Sequence, residues 1–216
     1  MFDVTWGGEQ FRLLPQKAAY LPDHGTLLIA DAHIGKAVSF RRLGVPVPRG
    51  TTSENLALID QLLQLHDVRH LVFLGDLLHS AHAHAPDTLA AMGRWRERHP
   101  RLDVTLVRGN HDDRAGDPPG WLDIRCVDEP LRLGGLALCH HPRPRVGAQV
   151  VAGHIHPGAM LGRGFDRVRL PCFHLREGVA VLPAFGSFTG LHPVDRQPGD
   201  RLVAVADGQL FEVPAR

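Results

Sequence analysis

The chain has 216 residues, of which 44% are hydrophobic, and its formal net charge at neutral pH is +1. This length is enough to bury a full core, and we expect residues 1–216 to fold as a single domain. The nearly balanced charge excludes a global basic field. Any contact with nucleic acid would therefore have to come from local clusters of basic side chains.

Cysteine content and the N-terminal segment narrow the class further. The three cysteines have no CxxC spacing, which argues against a disulfide framework and against a zinc site made of thiolates. The N-terminus "MFDVTWGGEQFRLL" has no basic segment followed by an apolar one, and no apolar run is long enough to span a bilayer. We therefore expect a soluble cytoplasmic protein without a membrane partner.

Short apolar runs separated by turn signals recur along the chain. The first two form a predicted hairpin around Gly7 and Gly8. The later runs are rich in Val, Leu and Ile, as is typical of strands buried on both faces. They read "GTLLIAD", "HLVFLGD", "DVTLVRGN", "GLALCHH", "QVVAGHIH", "GVAVLPAFG" and "DRLVAVADG".

Helical patterns lie between the early strands. Residues 39–52 are predicted to be a proline-broken loop, and residues 53–65 a helix with Ser53 as its N-cap. Residues 85–99 predict a second helix with Pro86 near its first position. Alternating strands and helices indicate an α/β fold. The closely spaced strands of the second half predict a second, partly antiparallel sheet stacked on the first.

Polar residues follow five of the apolar runs directly. The carboxyl ends of strands are where open α/β sheets bind their ligands. The side chains found there offer oxygen or imidazole nitrogen, the ligands of hard and borderline metal ions, and they suffice for two ions. They are Asp31 and His33, then Asp76, then Asn110, His111 and Asp112, then His140 and His141, and finally His154 and His156.

The segment "AGHIHP" places two of these histidines on either side of Ile155. If the preceding strand continues through it, His154 and His156 point the same way and Ile155 turns toward the core. That arrangement suits a metal centre. The chain has fifteen histidines, however, so a chance pairing is the alternative reading.

The order DxH, GDxxH, GNHD, a histidine after a strand and GHxH resembles the calcineurin-like metallophosphoesterase family from about residue 27 to 190. The resemblance implies an α/β sandwich of two stacked mixed β-sheets flanked by helices. It also implies two divalent ions that share Asp76. The first ion would be held by Asp31, His33, Asp76 and His156, and the second by Asp76, Asn110, His140 and His154.

The same resemblance implies a mechanism. Two neighbouring ions share and activate a water molecule that attacks the phosphorus atom. His111 matches the family histidine that protonates the leaving oxygen or stabilises the transition state. His79 stands where many relatives carry an aspartate that orients this histidine. Whether His79 or Asp112 orients His111 stays open at this point.

The stretches "RLPCF" and "LPAFGSFTG" resemble one branch of the family, the ligase-associated DNA damage response endonucleases. This implies a manganese-dependent phosphodiesterase acting on single-stranded or nicked DNA, with a DNA ligase and a helicase as partners. Zinc and iron are the alternative ions. The rival functions are a hydrolase of cyclic nucleotides or phosphomonoesters and a non-catalytic scaffold of a repair complex, which the complete ligand set disfavours.

Arginines form several local groups that would track a phosphate backbone. Arg41 and Arg42, together with His79, are the candidate substrate-binding residues. The arginines of the second predicted helix have an alternative reading as an ordinary solvated face. The groups are Arg41, Arg42 and Arg49, then Arg94, Arg96, Arg98 and Arg101, then Arg143 and Arg145, and then Arg163, Arg167 and Arg169.

Overall fold

The computed structural model describes residues 1–47, 50–162, 166–186 and 189–215. In these ranges the first half of the chain forms a seven-stranded sheet whose strands lie in chain order. Its first four strands are antiparallel, including the predicted hairpin, and the fourth to seventh are parallel. The strands are β1 (Phe2–Trp6), β2 (Glu9–Leu14), β3 (Ala18–Leu21), β4 (Thr26–Ile29), β5 (His70–Leu74), β6 (Asp103–Val107) and β7 (Arg125–Val127).

Four α-helices in the described ranges connect the parallel strands. Helices α1 (Lys36–Arg42) and α2 (Thr51–Leu65) join β4 to β5, α3 (Pro86–Arg98) joins β5 to β6, and α4 (Asn110–Ala115) joins β6 to β7. Pro86 occupies the first turn of α3, as predicted. Among the residues described, no helix combines the length and apolar character needed to cross a membrane.

Two details of the helix prediction are wrong. The loop predicted over residues 39–52 contains the end of α1 and the start of α2. The N-cap of α2 is Gly50, with φ of 99°, and not Ser53. A glycine in the left-handed region turns the chain into the helix three residues before Ser53, so no side-chain cap is used and Ser53 lies in the first turn.

The second half of the chain builds a second, mixed sheet, and every predicted apolar run contains one of its strands or a strand of the first sheet. At its centre β10 runs parallel to both β9 and β13. Among the described residues the sheet comprises β8 (Leu131–Leu133), β9 (Leu136–Leu138), β10 (Gln149–Ala152), β11 (Pro157–Leu161), β12 (Val168–Arg176), β13 (Val179–Val181), β14 (His192–Pro193), β15 (Arg201–Ala206) and β16 (Gln209–Val213).

Both faces of the first sheet are buried. On β5, Leu71 and Phe73 pack in the core that includes the helices, whereas Val72 and Leu74 pack in the core shared with the second sheet. Burial on both sides explains why these strands read as continuous apolar runs. Because β4, β5 and β6 are parallel, the polar residues that follow them emerge at one edge of the sheet.

Candidate metal centre

The polar residues that follow the strands converge at that edge. Their ligand atoms form four sets, and within each set the atoms lie within 4.8 Å of one another. The sets are Asp31, His33 and His156, then Asp31, Asp76 and His140, then His140, His141 and His154, and then His33, His79 and His111. Asn110 joins through Oδ1, which lies 3.0 Å from His140 Nε2.

The first group of ligand atoms surrounds Asp31, which is fully buried. Asp31 Oδ1 lies 3.5 Å from His156 Nε2. These two atoms and His33 Nδ1 are buried without a hydrogen-bond partner among the residues that the structure describes. Burying unpartnered polar atoms is costly, and a cation offsets that cost. The group therefore fits a metal ion with oxygen and imidazole ligands.

The second group surrounds His140, whose Nδ1 lies 3.1 Å from the carbonyl oxygen of Leu74. A carbonyl only accepts, so Nδ1 carries a proton and Nε2 is the nitrogen left to bind a metal ion. His140 Nε2 lies 3.0 Å from Asn110 Oδ1 and 3.5 Å from Asp76 Oδ1, and both of these oxygens are acceptors. His154 Nδ1 lies 3.0 Å from the same nitrogen. Acceptors this close repel one another unless a cation lies between them.

Asp76 belongs to both neighbourhoods. Its carboxylate is buried beside Asp31 and His140. Its Oδ1 also accepts a hydrogen bond of 2.9 Å from the main-chain N–H of His111. The position between the two groups is the one that a ligand shared by two ions would need.

Five of these residues have a left-handed backbone, which costs a residue other than glycine about 1 to 2 kcal/mol. Such strain persists where the surrounding structure enforces it, and it concentrates at functional sites. The positive φ angles are 53° at Asp31, 47° at His33, 51° at Asp76, 73° at His154 and 53° at His156. The sequence motifs gave no sign of this conformation.

The expected geometry of "GHIH" is therefore wrong. Strand β10 ends at Ala152, so the strand alternation does not reach the histidines. Ile155 is 38% exposed and does not turn into the core. Two left-handed residues in place of a strand send His154 toward His140 and His156 toward Asp31.

Two glycines in the motifs are required by close approach. A Cβ atom on Gly75 would overlap the His140 ring, and one on Gly109 would overlap the Asp76 carboxylate. Gly75 also has a positive φ of 78°. The glycines of GDxxH and GNHD thus make room for the ligand side chains of a neighbouring loop.

The ring of His111 is oriented by a main-chain group. Its Nδ1 lies 2.8 Å from the carbonyl oxygen of His79, so Nδ1–H donates and Nε2 is left facing Asp76, at 4.0 Å from Oδ2. The His79 ring stacks on it with centroids 5.0 Å apart. The Asp112 carboxylate instead accepts from the main-chain N–H groups of Leu78 and Gly109. The structure thus places the main-chain carbonyl of His79, and not the Asp112 carboxylate, against the His111 ring.

Burial sets the charge of several groups. Desolvation, with the positive charge of Lys36 second, lowers the pKa of His33 to about 2. The same two causes lower the pKa of His79 to about 4. Both imidazoles are therefore neutral at physiological pH, the state in which a ring nitrogen can bind a metal ion. Desolvation raises the pKa of Asp112 to about 6.

Two charged residues near the centre were missed by the sequence motifs. Lys36, three residues after His33, is half-buried, and burial lowers its pKa while the charges of Asp31 and Asp76 raise it. Its place in "DAHIGK" was the available signal. Glu129 accepts hydrogen bonds from the main chain of His140. Nothing in the sequence links these two residues, which lie eleven positions apart.

The predicted arginine groups differ in how exposed their side chains are. Arg41 and Arg42 are exposed in the last turn of α1. Arg96 is instead buried, and its guanidinium bonds to the Leu122 carbonyl and to Asp123. Arg96 thus connects α3 to the Leu122 and Asp123 segment and does not belong to a solvated face. Arg49 and Arg163 lie outside the described residues.

This sandwich and its convergent carboxylates and imidazoles define the class of metal-dependent phosphoester hydrolases. More particularly, the chain belongs to the calcineurin-like phosphoesterase family, which it matches over residues 25–145. It is similar to the crystal structure of Pseudomonas putida nuclease MPE, with 44% identity over 98% of this chain and 99% of that chain and a TM-score of 0.88.

A second solved structure, a protein of unknown function, AQ665 from Aquifex aeolicus, has 17% identity over 61% of this chain and 78% of that chain, with a TM-score of 0.40. No curated protein sequence matches the chain.

Proposed function

We propose that the chain hydrolyses phosphodiester bonds in single-stranded or nicked DNA, using two manganese ions. The similarity to a nuclease at 44% identity along 98% of the chain carries this proposal. The two ligand groups around Asp31 and His140 support it, because they supply the metal chemistry that the family requires.

The proposed ligands are seven residues, with Asp76 shared. Asp31, His33, Asp76 and His156 would hold the first ion, and Asp76, Asn110, His140 and His154 the second. The unpartnered atoms of the first group and the facing acceptors of the second support this division. The carboxylate and amide oxygens suit Mn²⁺, and the imidazoles suit zinc or iron, which are the alternatives to test.

The chain's own groups would then act as follows. When bound, two divalent ions lower the pKa of water and withdraw negative charge from the phosphoryl oxygens. In the form that carries a proton on both ring nitrogens, His111 would donate its Nε2 proton to the leaving oxygen and become neutral, while Nδ1–H remains bonded to the His79 carbonyl. The stacked His79 ring restricts rotation of His111 and keeps Nε2 directed toward Asp76.

Basic residues around the centre would bind the polymer. Lys36, half-buried three residues after His33, would contact the reacting phosphate. Arg41 and Arg42, exposed in the last turn of α1, would contact neighbouring phosphates. Each such contact on a single strand releases counterions. The logarithm of the binding constant for DNA should therefore fall linearly with the logarithm of the salt concentration, with a slope of about 0.7 per contacted phosphate. A cyclic nucleotide would show little of this dependence.

We also propose three properties whose only support is the sequence. They are one domain over residues 1–216, a cytoplasmic location, and a DNA ligase and a helicase as partners. The last follows from the resemblance of "RLPCF" and "LPAFGSFTG" to the ligase-associated branch.

The test measures the rate of hydrolysis for each combination of metal ion and substrate. Metal-free protein is supplied with Mn²⁺, Zn²⁺, Fe²⁺, Ni²⁺ or Mg²⁺ and offered a phosphomonoester, a small phosphodiester, a cyclic nucleotide and DNA. We expect Mn²⁺ to support cleavage of the diester and of DNA in preference to the monoester. Faster turnover of cyclic nucleotides than of DNA at equal concentration would favour a small-molecule hydrolase. No turnover with any ion would favour a scaffold.

The same measurements include a variant with Arg41 and Arg42 both replaced by alanine. Its affinity for a labelled oligonucleotide should fall, while hydrolysis of the small diester stays near that of the wild type. Unchanged DNA affinity would remove these two residues from the proposed substrate contacts.

A further inference from the structure

Glu129 lies in the connection between β7 and β8, where the chain passes from the first sheet to the second. Its Oε2 accepts two hydrogen bonds, each of 2.9 Å, from the main-chain N–H groups of His140 and His141. Its Oε1 lies 3.4 Å from His141 Nδ1 and 3.5 Å from a guanidinium nitrogen of Arg145. One carboxylate thus ties three residues of the loop after β9.

These contacts begin where the sheet stops. Strand β9 ends at Leu138, and the N–H of Cys139 still bonds to the Val151 carbonyl of β10. The next two amides, at His140 and His141, have Glu129 as their acceptor. Because buried main-chain N–H groups need partners, Glu129 determines the path of the chain at the point where the His140 side chain leaves it.

The path of the main chain decides where the His140 ring points. The ring is held on its Nδ1 side by the Leu74 carbonyl, and its Nε2 faces Asn110 and Asp76. The Leu74 carbonyl and the close packing against Gly75 hold the ring itself. The anchored His140 amide fixes the main-chain position from which the ring extends.

We propose that Glu129 is a positioning residue for the second metal ion: among the described contacts its carboxylate bonds to none of the seven proposed ligand side chains, and by anchoring the His140 and His141 amides it aims His140 Nε2 between Asp76 and Asn110. This inference rests on the ligand assignment proposed above. Outer partners that orient metal ligands commonly contribute about 10- to 100-fold to metal affinity.

Two substitutions separate the anchor from the charge. Glu129→Ala removes both. Glu129→Gln keeps the volume, and its amide oxygen can occupy the place of Oε2 and accept from both N–H groups. It loses the negative charge and the Oε1 acceptor that faces His141 and the Arg145 guanidinium. Asp128→Asn is the matched control, because the neighbouring Asp128 side chain is 89% exposed and pairs with Arg108.

The experiment counts Mn²⁺ bound per chain and measures both affinities by titration, with His140→Ala as the reference for loss of the second ion. We expect two ions in the wild type and in Asp128→Asn, and one in His140→Ala. Glu129→Ala should bind the second ion about 10- to 100-fold more weakly, with the first unchanged. Glu129→Gln should remain within about threefold of the wild type, which is below the 10- to 100-fold loss expected for Glu129→Ala.

A second measurement does not depend on metal. In metal-free protein, ¹⁵N chemical shifts should show His140 as the single tautomer with the proton on Nδ1. Glu129→Ala should show averaging of the two tautomers, and Glu129→Gln should not. The thermal unfolding midpoint of each variant reports whether the fold is kept.

The inference is overturned if Glu129→Ala binds both ions as the wild type does while His140→Ala loses one. It is also overturned if Glu129→Gln loses as much affinity as Glu129→Ala, because the charge and not the anchor would then matter. If the wild type itself binds fewer than two ions, the ligand assignment is wrong and the inference falls with it.

Discussion

Replacing His111 by alanine removes a side chain that donates a proton to the leaving oxygen in the proposed mechanism. The main-chain N–H of residue 111, which bonds to Asp76 Oδ1 at 2.9 Å, is retained in the variant. The ring itself lies outside both proposed ligand groups. We therefore expect His111→Ala to keep two bound metal ions and to lose turnover.

The size of the loss follows from the role of the ring. A positioned general acid contributes about 10² to 10⁴ in rate, which corresponds to about 2.7 to 5.5 kcal/mol of barrier. We expect a loss within this range. The hydrogen bond from Nδ1 to the His79 carbonyl and the stacked His79 ring hold the His111 ring, so Nε2 is the nitrogen available to the leaving group. The loss should depend on how much the leaving group needs a proton.

The assay compares two diesters in each protein. One has a p-nitrophenyl leaving group, which departs without a proton, and the other has an alkyl or nucleoside leaving group. His111→Ala should slow the second far more than the first. His82→Ala is the control, because His82 is exposed on a short 3-10 helix (Ala81–His84) that follows His79, and it lies outside the four ligand sets.

Two results would refute this reasoning. Equal slowing of the two diesters would show that His111 positions the substrate and donates no proton to the leaving group. Loss of a metal ion from His111→Ala would show that its ring belongs to the ligand set.

The remaining predictions concern metal binding, substrate binding and stability. Asp76→Ala should lower the occupancy of both metal sites, and His33→Ala mainly that of the first; elemental analysis that finds two ions in Asp76→Ala would disprove the shared ligand. Lys36→Met should raise KM for a phosphodiester about 10- to 100-fold, the worth of one hydrogen bond to a charged group, with two ions retained; an unchanged KM would exclude the contact. Burial raises the pKa of the Asp112 carboxyl from 3.8 to about 6, so the folded state binds its proton more tightly than the unfolded state does. The free energy of unfolding of the metal-free protein should therefore be highest below pH 3.8 and fall by about 3 kcal/mol as the pH rises through 6. Denaturant unfolding should show this fall, and Asp112→Asn should lack it.

The sequence by itself determined the buried strands β4, β5, β6, β9, β10, β13 and β15 and the polar residues that follow the first five of them. A strand buried on both faces needs a continuous apolar run, and such runs are local in sequence, as in "HLVFLGD". Residues that follow parallel strands emerge at one edge whatever the details of packing, so the order of Asp31, Asp76 and Asn110 was enough to place them together. The class of chemistry followed from their side chains.

Only the tertiary structure decided how these residues are held. Glu129 meets the His140 amide across the junction of the two sheets, and the His79 carbonyl, not a carboxylate, orients the His111 ring. The left-handed backbone at His154 and His156 reversed the expected burial of Ile155. Each of these features depends on contacts between segments far apart in the chain or on strain that the surrounding packing enforces, and neither leaves a periodic pattern in the sequence.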